Sequence, residues 1–390
     1  MKKPSIGVWV ATMILTGCFG FACAWVIQDG QAQNNMSVLA QAQTEIESKF
    51  IGEYDETEVQ DAAISAMVEA LGDRWSYYLP AEDYQSYEDS VNNAFVGIGV
   101  TVQWDTEQNG LTVQEVYEDS PASEVGIVAG DCIVGANGTS FEGLTASEAK
   151  AQVSGEEGTQ VELTVQDEEG STRTVQVTRR EVKINPVSYQ MLDDNVGYIK
   201  IDNFDAGASE QSIAAVEALI EEGAQSLVFD VRNNPGGLLT ELLKLLDYIL
   251  PEGPTFITED YTGQEIVYES EASCVQMPMT VLVNEESYSA AEFFAAALQE
   301  ADWGDVVGTQ TCGKGYSQIP IRLQDGSALV LSTAKYYTAG RVSLIDKGVT
   351  PDVTVDLSDE EKTALLRGEL EPGQDPQLQA AIEQVQELIS

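Results

Sequence analysis

The sequence predicts a multidomain α+β protein: an apolar N-terminal helix, a helical segment, a strand-rich domain and an α/β core. Three observations predict it. The 390 residues exceed one ordinary domain, and 43% hydrophobic content is enough to bury more than one core. Between Phe95 and Val182 the chain reads as short alternating strands broken by glycine turns, among them Gly97-Ile98-Gly99-Val100, Leu111-Thr112-Val113 and Asp131-Cys132-Ile133-Val134. From Lys183 to Leu357, strands such as Val196 to Ile201 and Leu227 to Val231 alternate with longer helical patterns at Ser209 to Glu222 and Leu238 to Leu250.

At the N-terminus, Lys2 and Lys3 precede an uncharged run from Ile6 to Ile27. A bilayer is crossed by a helix of about 20 apolar residues, and the two lysines keep the N-terminus in the cytoplasm. Two rival readings share this stretch: Ala22-Cys23-Ala24 fits a signal-peptidase site and Leu15-Thr16-Gly17-Cys18 a lipobox. The anchor ranks first, the cleaved signal second and lipid attachment at Cys18 third, because Phe19-Gly20-Phe21 continues the apolar run where a lipoprotein turns polar. All three put the body outside the cytoplasm, at the cell membrane or secreted.

The expected organisation is an anchor or signal over 1–27, a helical region over 28–92, the strand-rich domain over 93–182, the α/β core over 183–357 and an acidic helical tail over 358–390. In the helical region, Val59, Ala63, Met67, Ala70 and Leu71 recur at helical spacing and Gly72 stops the pattern. The tail, with Leu378, Ile382, Val385 and Ile389, reads as a solvated helix.

Composition excludes whole classes of function. With 65 acidic and 19 basic residues the formal charge is -46, which repels nucleic acid phosphates and anionic lipid head groups. There is no histidine, so Ser-His-Asp and Cys-His catalysis and HExxH zinc sites are absent. Beyond the apolar run, Cys132, Cys274 and Cys312 are too scattered for a metal site, and no cofactor or metal is expected. Free thiols are favoured over a Cys274–Cys312 bridge.

Any nucleophile therefore needs a base other than imidazole. Met279 to Asn284 reads as a buried strand and Ala291 to Gln299 as a helix, so Ser289 falls at a strand-to-helix corner. Unpaired amides at a helix start, beginning with Ala290, can receive an oxyanion. The same residues also read as a capping box, Ser289-Ala290-Ala291-Glu292. Further on, Gly313-Lys314-Gly315-Tyr316-Ser317-Gln318 sets a lysine between two glycines. A lysine in a dry site loses its proton more readily and can act as a base, with Gln318 placed to orient the amine or the substrate. A third segment, Asn233-Asn234-Pro235-Gly236-Gly237, follows a strand and precedes a helix, and its glycines can present amides to an anion.

These segments, with Asp73 to Leu79, Gly197-Tyr198-Ile199 and Gly348-Val349-Thr350-Pro351-Asp352, resemble the S41 family of carboxy-terminal processing peptidases in order and spacing. The resemblance implies a crotonase-like α/β serine peptidase core with Ser289 as nucleophile, Lys314 as general base, Gln318 in support, and Gly236 or Gly237 with Ala290 as the oxyanion hole. Three positions depart from the family pattern: Tyr288 stands before the serine; Cys312 replaces the phenylalanine usual before the lysine motif, which alters packing beside the base and predicts oxidation sensitivity; and Ser154 stands before Gly155 to Thr159 where relatives often carry arginine. The strand-rich domain resembles a PDZ module, whose loop Gly97, Ile98, Gly99 and Val100 would hold the C-terminal carboxylate of an added peptide strand. The implied partners are proteins or peptides with apolar C-terminal tails, the membrane through the N-terminal segment, and an adaptor or activator. The rival from another class is a catalytically silent peptide-binding scaffold of the same fold.

Overall fold

The computed structural model describes residues 38–388, so the apolar run from Ile6 to Ile27 and the lipobox cysteine lie outside the described residues. Among the described residues no helix is long and apolar enough to cross a membrane. The chain divides into two compact units, before and after the Ala63–Ile64 junction.

In the first unit, residues 38–49 form an exposed helix, and the Phe50 and Tyr54 rings meet edge to face at 6.0 Å. A second helix, Glu56–Glu69, starts in this unit. Gly72, at φ 70°, follows it as the expected stop.

The second unit carries the strand-rich module and the core. In the module, antiparallel strands run in the order Val100–Asp105, Gly110–Val116, Cys132–Ala136, Gln160–Gln166 and Thr172–Thr178, leaving Val100–Asp105 at an edge. Alternation sends Leu111, Val113, Ile133, Leu163 and Val165 inward, where they meet Ala149 and Val153 of the helix Ala146–Val153. A two-stranded neck, Ala94–Gly97 against Arg180–Lys183, carries both crossings of the chain into the core.

The core holds a six-stranded sheet in the order Val187–Met191, Val196–Ile201, Ser226–Asp230, Met279–Val283, Asp305–Gly308 and Val353–Thr354. Only the first pair is antiparallel. Parallel strands must be covered on both faces. Leu227, Phe229 and Val281 point to one face, under the helices Ala208–Glu222, Leu239–Ile249 and Ala290–Glu300. Val228, Leu282 and Val307 point to the other, under Leu378, Ala381 and Val385 of the helix Pro376–Glu387.

That last contact corrects the reading of the tail as solvated. The acidic side chains face water, but the apolar stripe is the cover of the second sheet face. The buried Arg232 guanidinium pins it further, pairing with Asp230 and, at 2.7 Å, with Asp375, whose side chain caps that helix. A second difference is an antiparallel sheet built around the long strand Ala328–Thr338, which the alternating α/β pattern did not announce. Its partners are Tyr77–Leu79, Gly253–Asp260 and Tyr316–Arg322, with Glu265–Ser270 outermost.

Candidate active site

Ser289 follows the Met279–Val283 strand and immediately precedes the Ala290–Glu300 helix, with φ 58° and ψ -123°. A non-glycine residue in this backbone region is strained, and such strain persists where the surroundings over-determine it. Two sets of bonds do so here. The Ser287 hydroxyl, fully buried, donates to Val231 O at 2.7 Å, and the Tyr288 amide donates to Asn234 O at 3.1 Å. The corner is thereby sewn to the glycine turn beside it.

Contact between these segments is close. A Cβ at Gly236 would stand 2.7 Å from Ser289 Cβ and 2.8 Å from the Ala290 nitrogen, so a side chain there would push the turn off the serine. The Gly236 amide already donates to Asn234 Oδ1 at 2.8 Å. Those of Gly237 and Ala290 have no acceptor among the described residues. Of the two glycines expected to offer an oxyanion donor, Gly237 is the one with its amide unengaged.

Glu292 joins this corner to the lysine loop. Its buried carboxylate accepts the amides of Ser289 at 3.1 Å, Lys314 at 2.8 Å and Gly313 at 2.7 Å, together with the Thr311 hydroxyl. The glutamate half of the expected capping box is therefore present. Burial pushes the Glu292 carboxyl above its ordinary range despite these four donors.

Lys314 Nζ lies 4.7 Å from the Trp75 ring centre and 5.6 Å from that of Tyr288. No ion pair or hydrogen bond reaches it among the described residues. Burial lowers its pKa below the ordinary lysine value, against weaker opposing fields from Cys312, Asp73 and Glu292. Asp73 is raised by burial, yet hydrogen bonds with Ser332, Ser76 and the Trp75 amide hold it below the usual range.

Gln318 is not joined to the amine. Its Nε2 donates to Tyr316 O and to Ser332 Oγ, each at 3.1 Å, next to a register shift at Ser317/Gln318. Sequence reasoning left unassigned Trp75 and Tyr288, whose rings flank the lysine, and Ser332, which bonds Gln318. A tryptophan within Asp73 to Leu79 was the available signal. Cys132, Cys274 and Cys312 are free thiols. Burial pushes the Cys312 thiol up, against the Arg74 guanidinium, which donates to its Sγ at 3.5 Å. A cleft of about 750 Å³ borders Asp73, Trp75 and Ser332 but is lined by neither Ser289 nor Lys314.

In the module, Gly97, Ile98, Gly99 and Val100 line a groove of about 340 Å³ between the edge strand and the Ala146–Val153 helix. A Cβ at Gly99 (φ 81°) would meet Ser120 Cβ at 2.2 Å. The amides of Ile98 and Gly99 have no acceptor among the described residues, while their carbonyls accept from Ala122 and Tyr117.

An α/β core with a serine at a strand-to-helix corner, beside a module of this topology, defines the class of serine peptidases that carry a PDZ domain. Residues 195–355 match the model of peptidase family S41, and residues 112–167 match a PDZ domain. The chain is 30% identical over 331 residues to the carboxy-terminal processing protease CtpA of Bacillus subtilis (strain 168), covering 84% of this chain and 70% of that protein. It is 33% identical over 329 residues to a CtpA-like serine protease of Staphylococcus aureus (strain COL), covering 83% of this chain and 65% of that one. A solved S41 protease structure from Bacteroides fragilis superimposes with a TM-score of 0.55 over 87% of this chain and 93% of that one; at 17% identity this is a likeness of fold. The chain belongs to the S41 family of carboxy-terminal processing serine proteases.

Proposed function

We propose that the protein cleaves exported or membrane-associated proteins through an acyl-enzyme on Ser289, with Lys314 as the base. The observation that carries this reading is the lysine's surroundings: a half-buried amine over two aromatic faces, without a carboxylate partner, in a loop held by the same Glu292 carboxylate as the serine amide. A neutral amine takes the Ser289 Oγ proton as Oγ attacks the scissile carbonyl carbon. The carbonyl oxygen becomes an oxyanion and is received by the amides of Gly237 and Ala290. The ammonium then protonates the leaving amine. Water, deprotonated by the same lysine, hydrolyses the ester and frees Ser289. Gln318 acts through Ser332 and Asp73 on the lysine's setting.

The groove at Gly97 to Val100 takes the substrate's apolar C-terminal tail as an added strand, with the amides of Ile98 and Gly99 on its carboxylate. The apolar N-terminal run holds the body at the outer face of the cell membrane. This leaves an adaptor or activator as a further partner.

Cleavage of β-casein or a tagged peptide by the protein, beside its Ser289→Ala and Lys314→Ala variants, tests the pair. Loss of turnover in both, with chelators without effect, is expected. Equal turnover in all three removes the pair, and no turnover by the parent protein leaves the silent scaffold.

A further inference from the structure

Both crossings between module and core converge on one buried polar buckle. Asn93, 4% exposed and at φ 47°, is the last residue before the neck. Its carbonyl accepts the Ile184 amide at 2.7 Å, which ties the outgoing crossing to the returning one. Its side chain then pairs reciprocally with Asn203: Asn93 Nδ2 donates to Asn203 Oδ1 at 3.1 Å and Asn203 Nδ2 to Asn93 Oδ1 at 2.9 Å. Asn93 Nδ2 also donates to Ala206 O at 3.0 Å, and the Ala206 amide to Val91 O at 3.0 Å.

The loop so gripped leads directly to the glycine turn. Phe204, next to Asn203, donates its amide to Gly236 O at 2.7 Å and accepts the Leu238 amide at 2.8 Å, forming a parallel bridge across Gly237. A Cβ at Gly237 would fall 2.3 Å from the Phe204 carbonyl carbon, so the two backbones are in contact. The Phe204 ring in turn stands 5.8 Å from Phe294 of the helix that begins after Ser289. The front of the turn is held separately, by Asn234 Nδ2 donating to Ile201 O at 2.7 Å and the Tyr288 amide donating to Asn234 O at 3.1 Å, and the Phe204 bridge holds its glycine end.

We infer that Asn93 and Asn203 are positioning residues for catalysis: their paired amides fix the Phe204 loop, and through it the Gly237 amide opposite Ser289. This rests on the reading of Ser289 as nucleophile and of Gly237 as an oxyanion donor. The pair touches neither substrate nor reacting atoms.

Asn93→Asp is nearly isosteric and tolerates the same backbone, but turns the donor that faces Asn203 Oδ1 and Ala206 O into an acceptor. Misplacing one oxyanion donor by a fraction of an ångström is expected to lower kcat about tenfold, with KM within about twofold. Asn203→Asp gives the same split, and the double variant is no worse than either, as for two members of one device. Binding of a peptide boronate weakens in proportion to kcat, while binding of a tail peptide to the module stays near that of the parent; the melting temperature falls with the buried mismatch, and the kcat loss persists at temperatures where the variant is fully folded. A Ser289-dependent enzyme whose Asn93→Asp and Asn203→Asp variants keep kcat overturns the inference alone. So does a loss of kcat that is matched by a loss of tail affinity, or that disappears at temperatures where the variant is fully folded, which marks a merely structural joint. Turnover that survives Ser289→Ala overturns the nucleophile reading, and the inference with it.

Discussion

The Lys314 amide donates at 2.8 Å to Oε2 of Glu292, the oxygen that also accepts the Ser289 amide at 3.1 Å. One atom therefore sets the spacing between the loop of the proposed base and the corner of the proposed nucleophile. Glu292→Gln keeps the shape but turns one oxygen into a donor facing amides that are themselves donors. It is expected to lower kcat/KM at least about a hundredfold, since a misplacement of 1 Å has that effect. Chemical denaturation should show a loss of about 2–4 kcal/mol, the cost of leaving buried donors unpaired. A variant with parental turnover would mean that Glu292 serves the helix start alone.

The lysine's burial dictates a pH profile. With its pKa below the free value of 10.5, the neutral amine gains ground at lower pH than for an exposed lysine, so kcat/KM should rise with pH and level off at a midpoint under 10.5. Trp75→Ala admits water to the ammonium and should move that midpoint upward, with activity at neutral pH falling. The same shift acts on stability. A depressed lysine pKa means the fold prefers the neutral amine, so this group's penalty is full below the folded pKa and fades as pH rises toward 10.5. Lys314→Met should accordingly raise the melting temperature at neutral pH while abolishing turnover. A pH-independent rate across the alkaline limb would count against lysine as base.

Asp205, in the loop gripped by Asn203, carries a shift of opposite kind. Burial pushes its carboxyl up from 3.8 to about 7. A raised carboxyl favours the protonated fold, so the stability it contributes is complete below pH 3.8 and lost as pH climbs to about 7. Asp205→Asn mimics the protonated form. It should raise the melting temperature at pH 8 by roughly 2–4 °C for each kcal/mol recovered, and leave it unchanged near pH 4. Equal effects at both values would mean that the carboxyl does not titrate in the fold.

Much of the site was legible because its signals are local. The lack of histidine left lysine as a base, and Ser289, Lys314 and the Gly236-Gly237 turn each stand at the end of a short, strongly patterned strand. What was not legible is what long-range pairing creates. Strand Ala328–Thr338 mixes Ser332, Thr333 and Lys335 with tyrosines, and its neighbours come from residues near 78, 257 and 319, so no window of sequence contains the sheet. Trp75 reaches Lys314 only because that sheet brings residue 77 beside residue 330. The register shift at Ser317/Gln318 escapes a reading by strand alternation, and with it the commitment of Gln318 to Ser332. The tail was misread for a different reason: three buried side chains among many acidic ones look like a surface until a bare sheet face requires them.

The groove proposed to take the substrate's tail allows a last prediction, because Lys150 is the one charged side chain lining it. The ammonium has no ion pair among the described residues, in a protein with a formal charge of -46. A tail carrying an acidic residue close to its C-terminus should therefore bind more tightly than its neutral counterpart. An exposed pair is worth about 0.2–1 kcal/mol, so the expected preference is roughly two- to fivefold at low salt, shrinking as salt is added. Lys150→Glu should reverse it in favour of a basic side chain, without abolishing binding of a neutral tail held by main-chain bonds. Fluorescence anisotropy with three tails differing only at that position, on the Ser289→Ala background, measures the effect. Identical affinities in both proteins would place the ammonium in solvent, away from the bound chain, and leave selection to the apolar wall of Ile98, Val100 and Val153.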